Sequence, residues 1–558
     1  MLHHATSSET MLPQPAHEVV ATMPTYRRTL SLNELSYFLP SRANGANDMF
    51  NRVTVHGPAS LISPLRASMA WAILRLRHSL MACRVEMQPG CYDDAQFVYT
   101  PPSSPSQALC EATACVRILD GVPGPELSRS FLCGPRTLSS DRLSLLTIAR
   151  HGQVSPGIWE FDIVVMFAHM IIDGIAMQES IQLILELLGG SDTPRGAPRT
   201  DAELAKLLAA EWAQRWGAKR HAHDAIVAAT EVRIMGLSQS KFQEAAWKVD
   251  NQNVQRRFIG GHTFPRTKST FTNFRFIQTQ FDVSQTTAIF AQCKANRTSV
   301  ANMTFALTNF AWIRLCAAHP EINAPKGLPT LIYTAVNLRR YLKAASPLES
   351  PMSLALDYYN VVLPAILPAD ADPTKMFWAR GREAQRQIMG YAQSPLLTQR
   401  AMVNSKVRGV RAKAWARIDD EADGTLPRTP RAPPAAPPAV TTPATAAPSL
   451  ALLGFSHSGN WDQIYRHDAF APIRLVAAVG AARNKPSGTL AYTWTFLGRL
   501  NLSFLWDEAG FPPGLMEEFR RYLIDGVHEY VLNDPSLKGT ANEVDCLVAE
   551  PLKVAAKL

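Results

Sequence analysis

The sequence predicts an α/β protein of two or three domains, and three observations carry that prediction. The chain has 558 residues, and at roughly 100–200 residues per domain this is more than one domain. Hydrophobic residues make up 46% and charged residues 18%, which supports large buried cores and excludes whole-chain disorder. Runs rich in β-branched residues alternate with stretches of helical periodicity along most of the length.

The elements follow in order. Residues 1–25 read as a loose tail, polar and Pro-containing, with no apolar signal-peptide core. Over residues 65–83, Met69, Ile73, Leu76 and Leu80 recur at helical spacing, and residues 83–87 then read as a strand. Residues 87–130 are rich in Pro, Ser and Gly and are expected to be mostly loop. Strands are expected at 144–148 and 160–167. A helix after Gly174 carries the stripe Ile181, Ile184, Leu185, Leu188 and stops at Gly189-Gly190. Residues 191–200 have linker composition, and a polar helical stretch over 201–236 reads as a crossover.

The second half repeats the mixture. Strands are expected near 274–282, 329–336, 354–366, 451–457, 472–479, 489–496 and 498–506, and helices near 284–295, 298–318, 373–391 and 511–532. Residues 426–449 hold eight prolines and seven alanines in 24 positions, a composition that predicts an extended insertion. The division expected is a tail (1–25), a first domain (26–190), a linker and crossover (191–270) and a second domain (271–558).

Charge and cysteine content narrow the function classes. The net charge of +9 is modest for this length, and no basic face with interleaved aromatics marks a nucleic-acid binder. The one dense basic run, Lys406, Arg408, Arg411, Lys413 and Arg417, reads first as a solvated helix face and second as a contact for a phosphorylated ligand. Eight cysteines with no CxxC pair point to neither a zinc site nor a disulfide framework, so no metal and a reduced, cytoplasmic setting are expected. No run reaches the length of a membrane span. The terminal Ala556-Lys557-Leu558 is one residue away from a peroxisomal address.

One motif carries chemistry. His169 to Gly174 spells HxxxDG, for which this composition gives only about 0.03 chance matches. It follows an apolar strand and precedes an amphipathic helix, a turn from which a side chain can be aimed into a cavity. A histidine can take a proton from a hydroxyl and return one to a leaving thiolate. Asp173, four residues on, is expected to hold the turn through a salt bridge. Gly174 is expected to let the backbone leave the turn without a Cβ clash. The alternative is a core histidine beside a helix-capping aspartate.

HxxxDG in this setting resembles the CoA-dependent acyltransferase superfamily, which includes chloramphenicol acetyltransferases, plant BAHD acyltransferases, alcohol acetyltransferases and condensation domains. Other segments are similar in the same order. They are RHSLMACRVE up to Glu86, Val336 to Arg340, Tyr358 to Pro364, FSHSGNWD from Phe455 to Asp462, and Leu497 to Phe504 with the helix after it. The plant DFGWG motif is absent, and Ala168 stands where condensation domains usually carry a second histidine. The resemblance implies two chloramphenicol-acetyltransferase-like α/β sandwiches with a tunnel between them. It implies a monomer of secondary metabolism that binds no cofactor and uses acyl-CoA as co-substrate with a hydroxylated small molecule. His169 would be the catalytic base, with Asp173, Gly174, Arg339 and Asn360 supporting the motif. Ser456, Thr493, Trp494 and Thr495 would supply the oxyanion donor or tunnel lining. The alternatives are a condensation-type enzyme with a carrier-bound donor and a non-catalytic binding protein of the same descent.

Overall fold

The computed structural model describes residues 23–548 except 192–195, 218–224, 235–239, 259, 270, 323–326, 344–349, 429–450 and 538–541. Most of the Pro/Ala stretch and the terminal Ala556-Lys557-Leu558 therefore lie outside the described residues.

Fifteen strands are formed among the described residues: β1 (Tyr26–Thr29), β2 (Met49–Pro58), β3 (Arg84–Glu86), β4 (Gln96–Tyr99), β5 (Val116–Asp120), β6 (Ser144–Ser155), β7 (Ile158–Phe167), β8 (Phe274–Gln280), β9 (Pro329–Asn337), β10 (Leu356–Pro364), β11 (Leu453–Asn460), β12 (Arg474–Ala482), β13 (Thr489–Phe496), β14 (Arg499–Asp507) and β15 (Asn542–Asp545). They build two principal sheets, a five-stranded one in the order β12-β2-β7-β6-β5 and a seven-stranded one in the order β10-β9-β11-β13-β14-β8-β15. A small third sheet has the order β1-β4-β3. One strand crosses the division in sequence. β12, within the 271–558 segment, pairs antiparallel with β2 from Arg474 opposite His56 to Ala482 opposite Met49. The second half of the chain thereby completes the first half's sheet.

Helices cover each sheet because the alternating strand pattern leaves an apolar face to bury. In the first half, the helix Pro64–Arg77 starts where Ser63 Oγ accepts from the Arg66 amide at 3.3 Å, with Pro64 pre-set in its first turn. It buries Trp71 against Phe167 of β7, with ring centroids 6.1 Å apart. In the second half, the helix Val300–Ala318 buries Trp312, and the helix Leu515–Gly526 buries Phe519 against Phe504 of β14. The helix Gly174–Gly189 ends against the turn at Phe470. A Cβ on Gly189 would stand 2.3 Å from the Phe470 carbonyl oxygen, so that approach requires glycine.

Residues 87–130 depart from expectation. Instead of mostly loop they hold β4, β5, the helix Pro105–Thr113 and the start of the helix Gly124–Cys133. Pro105 and Pro125 stand in the first turns of these helices, where a missing N–H costs nothing, so they start structure where they were read as breaking it. The helix Leu397–Ala422 carries the basic run, and most of it meets acids. Lys406 reaches Glu244 at 2.8 Å, Lys413 reaches Asp93 at 2.6 Å and Arg417 reaches Glu421 at 3.1 Å. Arg408 alone of the run turns toward tyrosine rings of the central cavity. No helix among the described residues is long and apolar enough to cross a membrane.

Candidate active site

His169 opens a one-turn helix that follows β7. The strand's buried apolar run ends at Phe167, and the turn brings the imidazole out of the sheet. Its Nδ1 donates to the Ile172 carbonyl oxygen at 2.8 Å. A carbonyl can only accept, so Nδ1 carries the proton and the neutral ring offers the Nε2 lone pair. Burial lowers the pKa of His169, hydrogen bonding to the backbone at Ile172 and then the charge of Asp173 oppose that, and the cation of Arg408 adds the smallest contribution, a lowering.

Asp173 is 1% exposed and has two duties. Oδ1 accepts from the Ala176 amide at 3.2 Å and caps the helix Gly174–Gly189. Oδ2 accepts from Arg339 Nη2 at 2.7 Å and from the Ala355 amide at 3.3 Å. Arg339 in turn donates to the carbonyls of Pro351 at 2.6 Å and Ser353 at 3.0 Å. The pair joins the turn after β7 to the turn after β9, one from each half. Gly174 does not play the part expected of it. A Cβ there would meet nothing within 4 Å and the backbone φ is not positive, so no clash is avoided. Gly174 lines the cavity, and its missing side chain leaves that space open.

The cavity around His169 has a volume of about 210 Å³ and draws its walls from both halves. Tyr37 comes from the helix Leu32–Ser41, Tyr333 from β9, Tyr358 from β10, Trp461 from the turn after β11, and Tyr492 and Trp494 from β13. Tyr37 packs on His169 with ring centroids 4.4 Å apart. Its hydroxyl is bonded to that of Tyr358, and the Arg408 guanidinium lies over both rings, at 5.0 and 4.4 Å.

Of the four residues expected to line the tunnel or supply the oxyanion donor, Ser456 and Trp494 line this cavity; Thr493 and Thr495 do not. On a strand, neighbours of Trp494 point to the other face, and both threonines are buried there, Thr493 with an unpartnered Oγ1. Trp494 stacks on Trp461 at 5.0 Å, with both indole N–H groups buried and unpartnered. Asn360 shares a face of β10 with Leu356 and Tyr358 but makes no side-chain hydrogen bond to the motif turn among the described residues. Residues of this site that the sequence did not single out include Tyr37, Tyr333, Arg408, His457, Trp461 and Tyr492. His457 and Trp461 stood inside the FSHSGNWD segment; nothing in the sequence set Tyr37 or Arg408 beside the motif.

No protein-family model and no curated protein sequence matches the chain. Solved structures do. The trichothecene 15-O-acetyltransferase of Fusarium sporotrichioides superposes with a TM-score of 0.64 at 12% identity, over 93% of this chain and 98% of that one. The condensation domain of the Monacolin K polyketide synthase gives 0.51 at 13% identity over 92% and 99%. Polyketide synthase associated protein 5 of Mycobacterium tuberculosis gives 0.50 at 12% over 91% and 100%. The chain therefore has the two-domain, chloramphenicol-acetyltransferase-like fold of the CoA-dependent acyltransferases and condensation domains.

Proposed function

We propose that this chain is an acyltransferase that moves an acyl group from acyl-CoA to the hydroxyl, less readily the amine, of a small-molecule acceptor. The observation that carries the reading is the state of His169: neutral, its tautomer set by the bond to Ile172, and on the wall of a cavity shared by both halves. In that state Nε2 takes the acceptor's proton as the hydroxyl oxygen attacks the thioester carbonyl carbon. The tetrahedral intermediate then breaks its C–S bond, and the same imidazole returns the proton to the thiolate. The products are an ester and free CoA. No covalent acyl-enzyme forms, so no activated serine or cysteine is called for. Ser456, Trp461 and Trp494 are among the donor-bearing residues of the cavity wall from which the oxyanion donor would come. The aromatic walls suit an apolar, ring-bearing acceptor, in keeping with a neighbour that acetylates a trichothecene.

A second reading, transfer from a carrier-bound donor, is favoured by the condensation-domain neighbour and opposed by Ala168 beside His169. Thiol release from a panel of acyl-CoA donors against hydroxylated acceptors separates the two. Release that needs both substrates supports the proposal. Turnover with a loaded carrier protein and with no acyl-CoA would sink it, and ligand binding without release from any donor would leave a non-catalytic protein.

A further inference from the structure

The hydrogen-bonding capacity of the His169 cavity wall is one-sided. Asp173 has both carboxylate oxygens engaged, by the Ala176 amide, the Ala355 amide and Arg339. Asn337 Oδ1 accepts from the Arg339 amide at 2.8 Å, and the Tyr492 hydroxyl oxygen accepts from the Ala482 amide at 2.9 Å. Gln178 Oε1 accepts from the Tyr465 hydroxyl. All four residues line the cavity. In Asn337, Tyr492 and Gln178 the accepting oxygen is thus taken by the protein, and what remains is N–H or O–H, without a partner among the described residues. Asn47, Ser456 and Tyr333 can donate or accept. The acceptor that the motif turn holds out is His169 Nε2.

Gln178 is the donor held most firmly. It stands on the helix Gly174–Gly189, one turn beyond Gly174 and so on the same face, about 6 Å further along the axis. Its side chain is buried, at 2% exposure, and so is that of Tyr465. The bond from Tyr465 orients the amide and leaves Nε2 as its free end. One turn further on, Gln182 Oε1 accepts from the Arg466 amide at 3.0 Å, so the helix and the segment after β11 are joined at two successive turns. A buried N–H without an acceptor is costly, and a site built around such a donor discriminates against ligands that bring it no oxygen.

We propose that Gln178 determines acceptor specificity by donating to a carbonyl or ether oxygen of the acceptor, about one ring's width from the hydroxyl that His169 deprotonates. The substrate class that fits is an apolar, ring-bearing alcohol with one free hydroxyl and an accepting oxygen across the ring. A polyol fits less well, because its additional O–H donors meet wall oxygens that are already engaged. For the reacting hydroxyl, the proposal rests on the acyl-transfer reading above; for the oxygen at Gln178, it rests on the wall alone.

Calorimetry on the full chain tests this with two probes, 4-hydroxy-1-tetralone and 1-tetralol, which differ in a carbonyl replaced by CH₂. The ketone should bind about tenfold or more tighter than 1-tetralol. Gln178→Met should remove that advantage and leave 1-tetralol within about twofold of its wild-type affinity. The variant also takes the acceptor from the buried Tyr465 hydroxyl, so Gln178→Met combined with Tyr465→Phe, which removes both polar partners, serves if the single variant misfolds. Equal affinity of the wild type for the two probes, binding of neither included, overturns the proposal. A carbonyl advantage that survives in the folded variants overturns it as well. Equal weakening of both probes would show that Gln178 supports the wall and reads no oxygen, which also overturns it. Gln178-dependent binding of the ketone, with no thiol release from a panel of acyl-CoA donors, defeats the acyl-transfer reading and leaves the recognition standing.

Discussion

His169 and His457 line one cavity from opposite halves of the chain, each near the end of a strand, and they are in different chemical states. His169 has Nδ1 bonded to a carbonyl and Tyr37 against its ring. His457 stacks on Phe455 at 4.7 Å and 5° and meets Phe305 edge-on at 5.1 Å, and neither of its nitrogens has a partner among the described residues. Burial lowers both pKa values and pushes His457 down to about 3. Burial alone thus holds an imidazole neutral, but only a hydrogen bond decides which nitrogen is offered. An imidazole at about 3 is also too weak a base to share a proton with a hydroxyl near neutral pH.

The comparison is broken most directly by deleting each ring. His169→Ala should lose about 10²–10⁴ in kcat with its circular dichroism intact. His457→Ala should stay within about tenfold of wild type, since a loss beyond that would assign proton transfer to both rings.

The anchoring of His169 is tested by its second neighbour. Asp173→Asn and Arg339→Ala remove one partner each from a pair whose carboxylate is 2% and guanidinium 22% exposed. Each should destabilise the chain by about 2–3 kcal/mol, below the 3–5 kcal/mol of a fully buried pair because the arginine keeps some solvent. Denaturant titration of the double mutant should show a loss clearly smaller than the sum. Additive losses would mean that the two groups do not support one another, whatever their 2.7 Å separation.

A finer test concerns charge. The groups facing His169 are Asp173 on its own turn, Tyr37 from the helix Leu32–Ser41, Tyr358 from β10 and Arg408 from the helix Leu397–Ala422. Arg408 opposes protonation of His169, so Arg408→Met should raise the imidazole pKa and move the acid limb of kcat/KM to higher pH. Arg408→Lys should restore the limb. A limb that stays in place in Arg408→Met would leave burial as the sole cause of the lowered value.

How much of this was legible follows from what each residue depends on. The strands β6, β7, β9, β10, β13 and β14 announced themselves through β-branched runs or alternating apolar residues, and the helix Gly174–Gly189 through its stripe and its glycine stop. HxxxDG was legible because its residues are neighbours in the chain and act through one turn. Tyr37 and Arg408 were not, because they reach His169 from elements more than 100 residues away on either side. The helix Leu397–Ala422 hid its role because basic and apolar residues alternate around it with no single apolar face, and Arg408 turns inward while Lys406, Lys413 and Arg417 meet acids. β12 read correctly as a strand, but periodicity does not say which sheet a strand joins. Its place beside β2 became visible only in the fold.

The smallest expected effect is the most specific to the comparison. His457→Phe replaces a half-buried ring, whose two nitrogens are buried and unpartnered among the described residues, by an apolar ring between Phe455 and Phe305. Removing unsatisfied polar atoms from such a site is neutral or stabilising, by up to about 1–2 kcal/mol when the larger ring fits. The pH dependence gives a second readout. A histidine held at about 3 in the folded chain and near 6.5 unfolded binds its proton only in the unfolded state between those values. Stability is therefore lost as pH falls below about 6.5, at about 1.4 kcal/mol per unit for each such ring. His78, buried and likewise pushed to about 3, contributes in the same direction and stays in the variant. Between pH 7 and pH 5, His457→Phe should consequently lose about 2 kcal/mol less than wild type in denaturant titrations. Equal losses at the two pH values would show that His457 is solvated or partnered in solution. That would place it with His169 as a working group of the cavity and dissolve the distinction between the two rings.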